Sequence, residues 1–402
     1  MPDAKQWFKE YYLKLLQSTN DPMLSAQFPR SSEAYAAAAA RAMAKSPRVV
    51  ELAKVVRGIK EDSIARLDDL VNTATASLEH NRAQVYHART AEDSLSIIGG
   101  IVGNGKLIVS GKTMTGEEVG LRNYLESLEN EFWETDVGAF LQQIRRERPI
   151  HPVIPAAHVT REESARQLSK FLGKEIDTDP IDQVIAIREF LRQKFFHADV
   201  GITGCNVLAA QEGNIVLLEN EGNIRMTSTV PPIHIVLVGI EKLVPTIYDA
   251  LQVANVTWTY AGFSWLTYLS MIGGPSNTAD IEMSRVFGAA GPEELHVILL
   301  DNGRSSLAKD PILKEALYCL RCGACHFECP VYRLAAGNYG YNYLGGIGAV
   351  GTAYISGGLE KAAPIAYTCL RCGRCKQVCP LAIDVPVLNL ELRKRLVGLV
   401  AR

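Results

Sequence analysis

Cys319-Leu-Arg-Cys322-Gly-Ala-Cys325-His-Phe-Glu-Cys329-Pro330 is one of two stretches of this chain with the same cysteine spacing. The other is Cys369-Leu-Arg-Cys372-Gly-Arg-Cys375-Lys-Gln-Val-Cys379-Pro380. Each follows the pattern C-x2-C-x2-C-x3-C-P, which binds [4Fe–4S] clusters in bacterial two-cluster ferredoxins. Three thiolates at this spacing can wrap one corner of a cubane, and the small Gly323 or Gly373 lets the loop fold tightly around it. The two runs therefore predict two [4Fe–4S] clusters, a cofactor that carries single electrons.

The fourth cysteine of each run stands three residues further on and precedes a proline, so the chain carries it away from the loop. In two-cluster ferredoxins this cysteine ligates the other cluster. The expected ligands of the first cluster are Cys319, Cys322, Cys325 and Cys379. The expected ligands of the second cluster are Cys369, Cys372, Cys375 and Cys329.

Zinc sites and disulfides are the other common uses of closely spaced cysteines. A structural zinc ion takes four ligands, usually as two separated pairs, so two identical runs of four cysteines fit two cubanes better. Disulfide frameworks are typical of small secreted domains, whereas this chain has 402 residues and its first ten lack the apolar core of a signal peptide. The cysteines therefore indicate electron transfer.

The composition is that of an ordinary globular protein, with 47% hydrophobic residues, 21% charged residues and a formal net charge of −2. This charge gives no reason to expect nucleic acid or an anionic membrane as a partner. No apolar run approaches the roughly 18 residues of a membrane span, so we expect membrane association only through partner subunits. Because most of the nine cysteines lie in the two runs, we expect a reducing compartment, the cytoplasm.

The first 50 residues have the pattern of a helical arm. Large apolar residues recur every four positions from Trp7 to Leu15, and an alanine-rich stretch follows later. Pro22 and Pro29 are expected to break the helical pieces. We expect the arm to pack on the chain's own core, and a grip on a partner subunit is the alternative.

Residues 51–90 continue with a helical pattern, and short β-type runs then alternate with helical segments. This alternation predicts an α/β domain around a mostly parallel sheet. Residues 199–240 hold three predicted strands with no room for helices between them, so we expect this section to be antiparallel or mixed. The predicted strands lie at 106–110, 132–135, 152–155, 199–203, 214–218, 233–239 and 296–301. The predicted helices lie at 116–128, 160–172 and 181–196.

The chain leaves the α/β domain near Ser305, and Asp310-Pro311 marks a joint. We expect three parts, namely a helical arm at 1–50, the α/β domain at 51–305 and a ferredoxin-like domain with both clusters at 306–402. A segment rich in glycine and tyrosine, residues 337–348, lies between the two cysteine runs and is absent from a minimal ferredoxin. Its tyrosines are expected to cover a cluster, and a surface loop without cluster contact is the alternative. These tyrosines are Tyr339, Tyr341 and Tyr343.

Four polar segments stand where predicted strands end. Ligands of open α/β sheets gather at the carboxyl ends of strands, so these segments are candidates to line one pocket, although turns need the same residue types. Lys112 stands between small residues and is suited to bind an anion, but the upstream glycines of a P-loop are absent, which argues against nucleotide hydrolysis. The segments are Ser110-Gly-Lys112-Thr113, Glu134-Thr135-Asp136, Thr203-Gly204-Cys205-Asn206, and Asn220-Glu221-Gly222-Asn223 followed by Arg225.

The remaining reactive side chains have simpler interpretations. Cys205 is expected to be a buried small hydrophobe rather than a nucleophile. His234 lies in an apolar strand and is expected to be a core histidine rather than a base. His151 and His158 flank prolines and have no partner that the sequence reveals. Because no dinucleotide-binding, zinc-protease or nucleophile-elbow motif occurs, no catalytic residue is predicted outside the cysteine runs.

This combination of features resembles the lactate utilization protein B family, in which an LUD domain precedes a two-cluster ferredoxin module. The resemblance covers about residues 57–395. In the module it includes both cysteine runs, Pro330-Val-Tyr-Arg333 and the segment at 337–348. In the α/β domain the matching segments are Trp133-Glu-Thr-Asp136-Val-Gly138, Pro155-Ala-Ala-His158, Asp199-Val-Gly-Ile-Thr-Gly204-Cys-Asn206, Asn220-Glu-Gly-Asn223, Pro231-Pro-Ile-His234-Ile, Gly274-Pro-Ser-Asn-Thr-Ala-Asp280-Ile-Glu282 and Asp301-Asn-Gly-Arg304.

The resemblance implies an LUD fold, related to the sugar-isomerase and CoA-transferase α/β fold, with a mixed sheet and flanking helices. It also implies that the chain is the electron-carrying subunit of a system that oxidises L-lactate to pyruvate. The implied partners are other redox subunits, namely a cysteine-rich protein with CCG-type domains and a flavoprotein or second LUD protein.

Two other functions remain open at this point. One is an electron-wiring or scaffold subunit of another redox complex, such as a heterodisulfide-reductase-like, hydrogenase or formate-linked assembly, with a catalytically silent LUD domain. The other is a stand-alone LUD enzyme that acts on a small anion and uses the clusters to move electrons. In the first two functions the chain carries electrons and performs no substrate chemistry on its own.

Overall fold

A parallel β-sheet lies at the centre of the computed structural model, which describes residues 4–400 and the side chains of residues 6–397. In chain order the strands are β1 (Gln84–Ala88), β2 (Leu107–Ser110), β3 (Glu131–Glu134), β4 (Val200–Thr203), β5 (Val207–Ala209), β6 (Asn214–Glu219), β7 (Ile233–Gly239), β8 (Leu243–Val244), β9 (Tyr268–Ile272), β10 (Asn277–Ile281), β11 (Ser284–Phe287) and β12 (Glu294–Leu300). Six of them form the central sheet in the order β1-β12-β7-β4-β2-β3, and all neighbouring pairs run parallel.

Helices account for most of the remaining chain. In the arm and the α/β domain they are α1 (Ala4–Thr19), α2 (Pro22–Lys45), α3 (Val49–Ala65), α4 (Leu67–His80), α5 (Ala91–Val102), α6 (Met114–Val119), α7 (Leu121–Ser127), α8 (Val137–Arg145), α9 (Arg161–Leu172), α10 (Pro180–His197), α11 (Asn223–Thr229), α12 (Ile247–Tyr260) and α13 (Arg304–Ala308). In the ferredoxin-like domain they are α14 (Ala324–Glu328), α15 (Pro330–Ala335), α16 (Gly345–Gly351), α17 (Gly358–Thr368), α18 (Arg374–Val378) and α19 (Val385–Val400).

The central strands are mostly apolar because helices cover both faces of the sheet. On one face, Ile202, Ile235 and Ile298 pack into a core with residues of α5 and α7. On the other face, Val109 packs with residues of α8, α9 and α10, including Phe140. Burial on both faces therefore fixes the positions of the strand ends, where polar residues begin.

A second, four-stranded sheet has the order β8-β5-β6-β9. Here β5 runs parallel to β8 but antiparallel to β6, which in turn runs antiparallel to β9. β10 and β11 form a separate hairpin. The second sheet packs on α3 and α12, and their apolar core is continuous with that of the ferredoxin-like domain.

The N-terminal arm packs on the ferredoxin-like domain at the other end of the chain. The Trp7 indole donates to the carbonyl of Lys361 at 3.3 Å, and Tyr11 is buried. Phe28 and Tyr35 of α2 stack on Phe327, with ring centroids 5.9 and 4.1 Å away. Within the described residues the arm thus packs on its own chain, as expected.

Most of the predicted elements of the α/β domain are present. The strands predicted at 106–110, 132–135, 199–203, 214–218, 233–239 and 296–301 are β2, β3, β4, β6, β7 and β12. The helices predicted at 160–172 and 181–196 are α9 and α10, and the Thr160 side chain accepts from the Glu163 amide to cap α9.

Several local predictions were wrong. Residues 84–88 form the edge strand β1 rather than helix, and residues 152–155 are irregular rather than a strand. The helix predicted at 116–128 is divided into α6 and α7 because Gly120 takes the left-handed conformation, with φ of 72°. Pro29 lies inside α2 and does not end it, whereas Pro22 starts that helix.

The section 199–240 is mixed, as expected, but it also holds a helix, which was not expected. β4 and β7 are parallel neighbours in the central sheet, and α11 lies between β6 and β7. Only β5 and β6 form the antiparallel pair, and they do so in the second sheet. The sequence cannot show this exchange of strands between sheets because all these strands are equally apolar.

None of the helices described within residues 4–400 has the length and apolar character needed to cross a membrane.

Candidate iron–sulfur centre

Two cavities lie side by side in the ferredoxin-like domain, and the eight cysteines of the two runs line them. The first cavity is lined by Cys319, Cys322, Cys325 and Cys379. The second is lined by Cys329, Cys369, Cys372 and Cys375, and Cys325 also reaches its wall. Each cavity therefore combines three cysteines of one run with the last cysteine of the other run. Cys325, His326 and Ile347 line both cavities and form the wall between them.

The two cysteine runs have the same backbone conformation. Gly323 and Gly373 have φ of 80° and 84° and stand directly before the short helices α14 and α18. Two residues earlier, Arg321 and Arg371 also have positive φ, at 61° and 55°. These left-handed residues turn the loop around its cavity, and the glycine adopts this conformation at no steric cost.

The first cavity lies deep in the molecule, and the second lies near the surface. Met114 and Pro152 of the α/β domain help to line the first cavity. At the second cavity, Cys372 is exposed and the neighbouring Leu370 is 66% exposed. A partner protein can therefore approach the second cavity more closely than the first.

The thiols around both cavities are suited to bind iron. Burial raises the pKa of Cys322 and Cys325 above the ordinary value, and burial raises that of Cys379 to about 11. Metal ligation takes the place of the thiol proton, so a bound cluster removes the need to keep buried thiols protonated. Four cysteine sulfurs around each cavity form the donor set of a [4Fe–4S] cluster.

The tyrosines at 337–348 contribute to both cavities. Tyr339 is fully buried and lines the second cavity beside Cys369, and its hydroxyl has no hydrogen-bond partner among the described residues. Tyr343 lines the first cavity. Tyr341 instead packs edge-on against Trp7, with ring centroids 5.7 Å apart. Tyr339 and Tyr343 thus cover the two cavities, while Tyr341 joins the arm to the loop.

A buried network of charges connects the carboxyl edge of the central sheet to the first cysteine run. Arg304, after β12, is 0% exposed, pairs with Glu118 at 2.6 Å and also pairs with Glu241. Glu241 follows β7 and pairs with Arg321, which stands between Cys319 and Cys322, at 3.1 Å. The hydroxyl of Tyr343 donates to Glu118. The ferredoxin-like domain is therefore fixed on the edge of the sheet where α/β folds bind ligands.

The network keeps Glu241 ionised despite its burial. Burial raises the pKa of this carboxyl, but the nearby Arg304 and Arg321 outweigh burial and lower the pKa to about 2. A charged group without a partner at such depth costs several kcal/mol. Each member of the network therefore depends on the others.

The four polar strand-end segments meet at the carboxyl edge, but most of their side chains satisfy one another. Lys112 pairs with Asp136 at 3.5 Å and donates to the carbonyl of Val153 at 2.8 Å. The Asn223 amide donates to the Thr135 hydroxyl at 3.3 Å. The segments are thus brought together as predicted for strand ends, and Lys112 already has partners in the protein. Glu134 is the exception, since its Oε2 is buried without a partner among the described residues.

The environments of Cys205, His234 and His158 suit structural roles. Cys205 is partly buried beside the apolar core, and burial raises the pKa of its thiol to about 12. His234 is buried in β7 with its Nε2 2.9 Å from the Thr203 hydroxyl, and burial lowers its pKa to about 3. His158 lies 3.1 Å from Glu147. These contacts agree with the expectation that Cys205 and His234 belong to the core.

His151 has a more specific position than the sequence indicated. Its Nδ1 accepts from the amides of Val153 and Ile154 at 3.2 and 3.1 Å, so Nε2 carries the proton and donates to the Gly323 carbonyl at 3.3 Å. The imidazole thereby supports the first cysteine loop from the α/β domain. No signal in the sequence pairs this histidine with Gly323, because 172 positions separate them.

Comparisons with known proteins agree with both domains. The family described as LUD domain matches residues 71–300, and the family described as 4Fe–4S dicluster domain matches residues 315–383. The second match spans both cysteine runs. The ferredoxin-like domain therefore holds two [4Fe–4S] clusters.

Several curated proteins are similar over most of the chain. "Lactate utilization protein B" of Macrococcus caseolyticus is 34% identical over 345 residues, which cover 84% of this chain and 70% of that protein. The protein of the same name from Bacillus subtilis is 34% identical over 344 residues, with the same coverage. "Uncharacterized electron transport protein YkgF" of Escherichia coli is 32% identical over 343 residues, again covering 84% and 70%.

One solved structure, a DUF162-family protein from Deinococcus radiodurans, matches at 16% identity. The match covers 58% of this chain and 98% of that one, with a TM-score of 0.31. This likeness is too low to support an argument.

Proposed function

The chain belongs to the lactate utilization protein B family, and from this premise we propose that it is the iron–sulfur electron-transfer subunit of a complex that oxidises L-lactate to pyruvate. One observation carries the proposal: two four-cysteine cavities share a wall and differ in depth. Bound [4Fe–4S] clusters supply one-electron transfer. The chain holds the two cluster sites next to each other and leaves the second site accessible to a partner protein.

The proposed ligands follow from the walls of the cavities. Three cysteines of each run and the last cysteine of the other run surround each cavity. The first set is Cys319, Cys322, Cys325 and Cys379. The second set is Cys369, Cys372, Cys375 and Cys329.

The proposed partner docks at the second cavity. Around the exposed Cys372, the side chains of Leu370, Arg371 and Arg374 are also exposed. An apolar contact ringed by positive charge suits a redox subunit with an acidic surface around its own centre. The proposed partners are a cysteine-rich CCG-domain protein and a flavoprotein or second LUD protein, in the cytoplasm, where thiols stay reduced.

We also propose the division into an arm (1–50), an LUD domain (51–305) and a ferredoxin-like domain (306–402). The contacts of the arm with Lys361 and Phe327 support an arm that packs on the ferredoxin-like domain of the same chain. They argue against a free arm that only a partner would order.

The ligand sets are tested by metal analysis and EPR on anaerobic protein. The wild type should contain about eight iron and eight sulfide per chain, four of each for every cluster. Cys372→Ser should lose the EPR signal of one cluster, and the control Cys205→Ser should keep both. A Cys205→Ser protein that loses a cluster would contradict the proposed ligand sets.

The role in lactate oxidation is tested by reconstitution. The purified chain alone should not become reduced by L-lactate, since it has no flavin or nicotinamide motif to accept a hydride. Added CCG-domain and flavoprotein or LUD subunits should make lactate reduce its clusters. Reduction by lactate of the chain alone, or no reduction with all subunits present, would refute this part.

An electron-wiring subunit of another redox complex is the second candidate. The "electron transport protein" of Escherichia coli is nearly as similar to this chain as the relatives named for lactate. Lys112, the predicted anion-binding residue, is already held by Asp136 and Val153. Reduction of the clusters in the assembled complex by formate or hydrogen, and not by lactate, would favour this candidate.

A further inference from the structure

A polar cavity of about 560 Å³ lies apart from the two cysteine cavities. It is lined by Ser110 and Glu134, the last residues of β2 and β3, and by Tyr341, Asn342 and Ser356 of the ferredoxin-like domain. A cavity of this volume has room for a small molecule. We propose that it binds a small organic carboxylate. The inference goes beyond electron transfer and does not depend on the identity of the redox partners.

Glu134 is the main reason to expect a ligand. The residue is only 7% exposed, and its Oε2 has no hydrogen-bond partner among the described residues. A buried polar group without a partner is unfavourable because it has lost its hydrogen bonds to water. The hydroxyl of Ser356 is also buried without a partner, and it lines the same cavity. Two unsatisfied groups in the lining of one cavity indicate a polar partner that the protein itself does not supply.

The protonation of Glu134 decides what kind of molecule this is. Burial raises the pKa of Glu134 to about 8, and the nearby Glu117 raises it further while Arg122 opposes the rise. At neutral pH this carboxyl therefore keeps its proton and donates a hydrogen bond. Ser356 can donate as well, so the unsatisfied groups call for an acceptor.

Arg122 supplies a positive charge at the same cavity. It lines the cavity and lowers the pKa of both Glu117 and Glu134, yet within the described residues it forms no ion pair. Arg148 also lines the cavity and is held there by Asn342 Oδ1 at 3.0 Å. A guanidinium without a protein carboxylate is a ready site for a ligand carboxylate.

The other charged groups around Glu134 do not change the preference of the cavity for a carboxylate. Glu118 is neutralised by Arg304 at 2.6 Å, and Lys112 is paired with Asp136 at 3.5 Å. Burial raises the pKa of Glu117 above its ordinary value. Glu92 is exposed, where solvent screens its charge. Donors thus outnumber unpaired acceptors around the cavity.

The experiment is calorimetric titration of the anaerobic, cluster-loaded full chain with acetate, L-lactate and pyruvate, and with methylammonium as the cationic probe. We expect the carboxylates to bind at pH 7 and methylammonium not to bind. Glu134 can donate a hydrogen bond only in its protonated form. Carboxylate affinity should therefore fall about tenfold between pH 7 and pH 9, as the protonated fraction of Glu134 falls from roughly 0.9 to 0.1.

Two variants separate recognition from folding. Glu134→Gln keeps a donor at every pH, so it should bind carboxylates at pH 7 and lose the fall at pH 9. Arg122→Gln should weaken carboxylate binding at least tenfold at pH 7. Arg188→Gln, an exposed arginine of α10 outside the cavity, is the matched control and should bind as the wild type does.

Three results would overturn the inference. One is that no carboxylate binds at millimolar concentration to the folded, cluster-loaded chain. Another is that methylammonium binds in place of the carboxylates, which would show a cation site. The third is that the Arg122→Gln and Arg188→Gln proteins bind equally well. Binding is measured without electron transfer, so these results are independent of the proposed redox role.

Discussion

Gly323 and Gly373 occupy the same position in the two cysteine runs, and replacing each by alanine should have different effects. Both have the left-handed conformation, with φ of 80° and 84°. A Cβ at Gly373 would meet nothing within 4 Å. A Cβ at Gly323 would lie 2.6 Å from Nε2 of His151, and closer still to Cε1 of the same ring.

The size of the difference follows from the energetic cost of an alanine at each of the two sites. The left-handed conformation costs an alanine about 1–2 kcal/mol at either site. At Gly323 the overlap adds about 1–3 kcal/mol, the usual cost of overpacking. The His151 ring cannot move aside, because it is 0% exposed, packs 4.3 Å from the Phe327 ring and accepts two backbone amides. Gly323→Ala should therefore lower the equilibrium constant for the native conformation of its cysteine loop roughly 5- to 150-fold more than Gly373→Ala does.

The assay is iron and sulfide analysis with EPR of the reduced, anaerobic proteins. Gly373→Ala should keep about eight iron per chain and both signals, whereas Gly323→Ala should fall towards four iron and lose one signal. Equal loss in the two variants would show that backbone conformation alone matters. Loss in Gly373→Ala alone would refute the role assigned to His151.

Three further perturbations test other parts of the centre. Tyr339→Phe should lower the potential of one cluster by roughly 40 mV in an EPR redox titration, since the unpartnered Tyr339 hydroxyl lies beside Cys369 and, with a cluster bound, would donate to that sulfur and favour the reduced cluster by about 1 kcal/mol; Tyr341→Phe should shift neither potential, and equal shifts in both would contradict the assignment. Arg304→Met should destabilise the chain by about 3–5 kcal/mol in urea denaturation by leaving the buried Glu118 without a cation and Glu241 with Arg321 alone, and an exposed control, Arg188→Met, should have little effect. Removal of iron by a chelator should expose the cysteine loops to proteolysis before the central sheet, because cluster binding is coupled to folding of the loops around it; simultaneous cleavage of both regions would contradict this order.

The sequence predicted the chemistry of the centre better than its surroundings. The cysteine spacing is a local pattern, so it indicated two clusters and a crossed set of ligands without any tertiary information. The same is true of β7 and β12, whose apolar runs are long enough to be recognised as strands. Prediction works here because the decisive residues are neighbours in the chain.

The long-range features were not predictable for the same reason. The support of Gly323 by His151 and the charge network of Arg304, Glu118 and Glu241 join residues that lie far apart in sequence. β1 was mistaken for helix because an edge strand of five residues carries no long apolar run. The polar cavity also escaped prediction, because its two walls come from different domains.

The contact between the two ends of the chain also sets an order of events during synthesis. The helix that carries Trp7 leaves the ribosome long before the helices it covers, α15 and α17, are made. The 354 positions between Trp7 and Lys361 take about 20–70 s to translate at roughly 5–20 residues per second. During this interval α1 lacks α15 and α17, its main partners, whereas α2 can already pack on α12. The first cysteine run, which ends at Cys329, is therefore complete in the chain before Trp7 can bind Lys361.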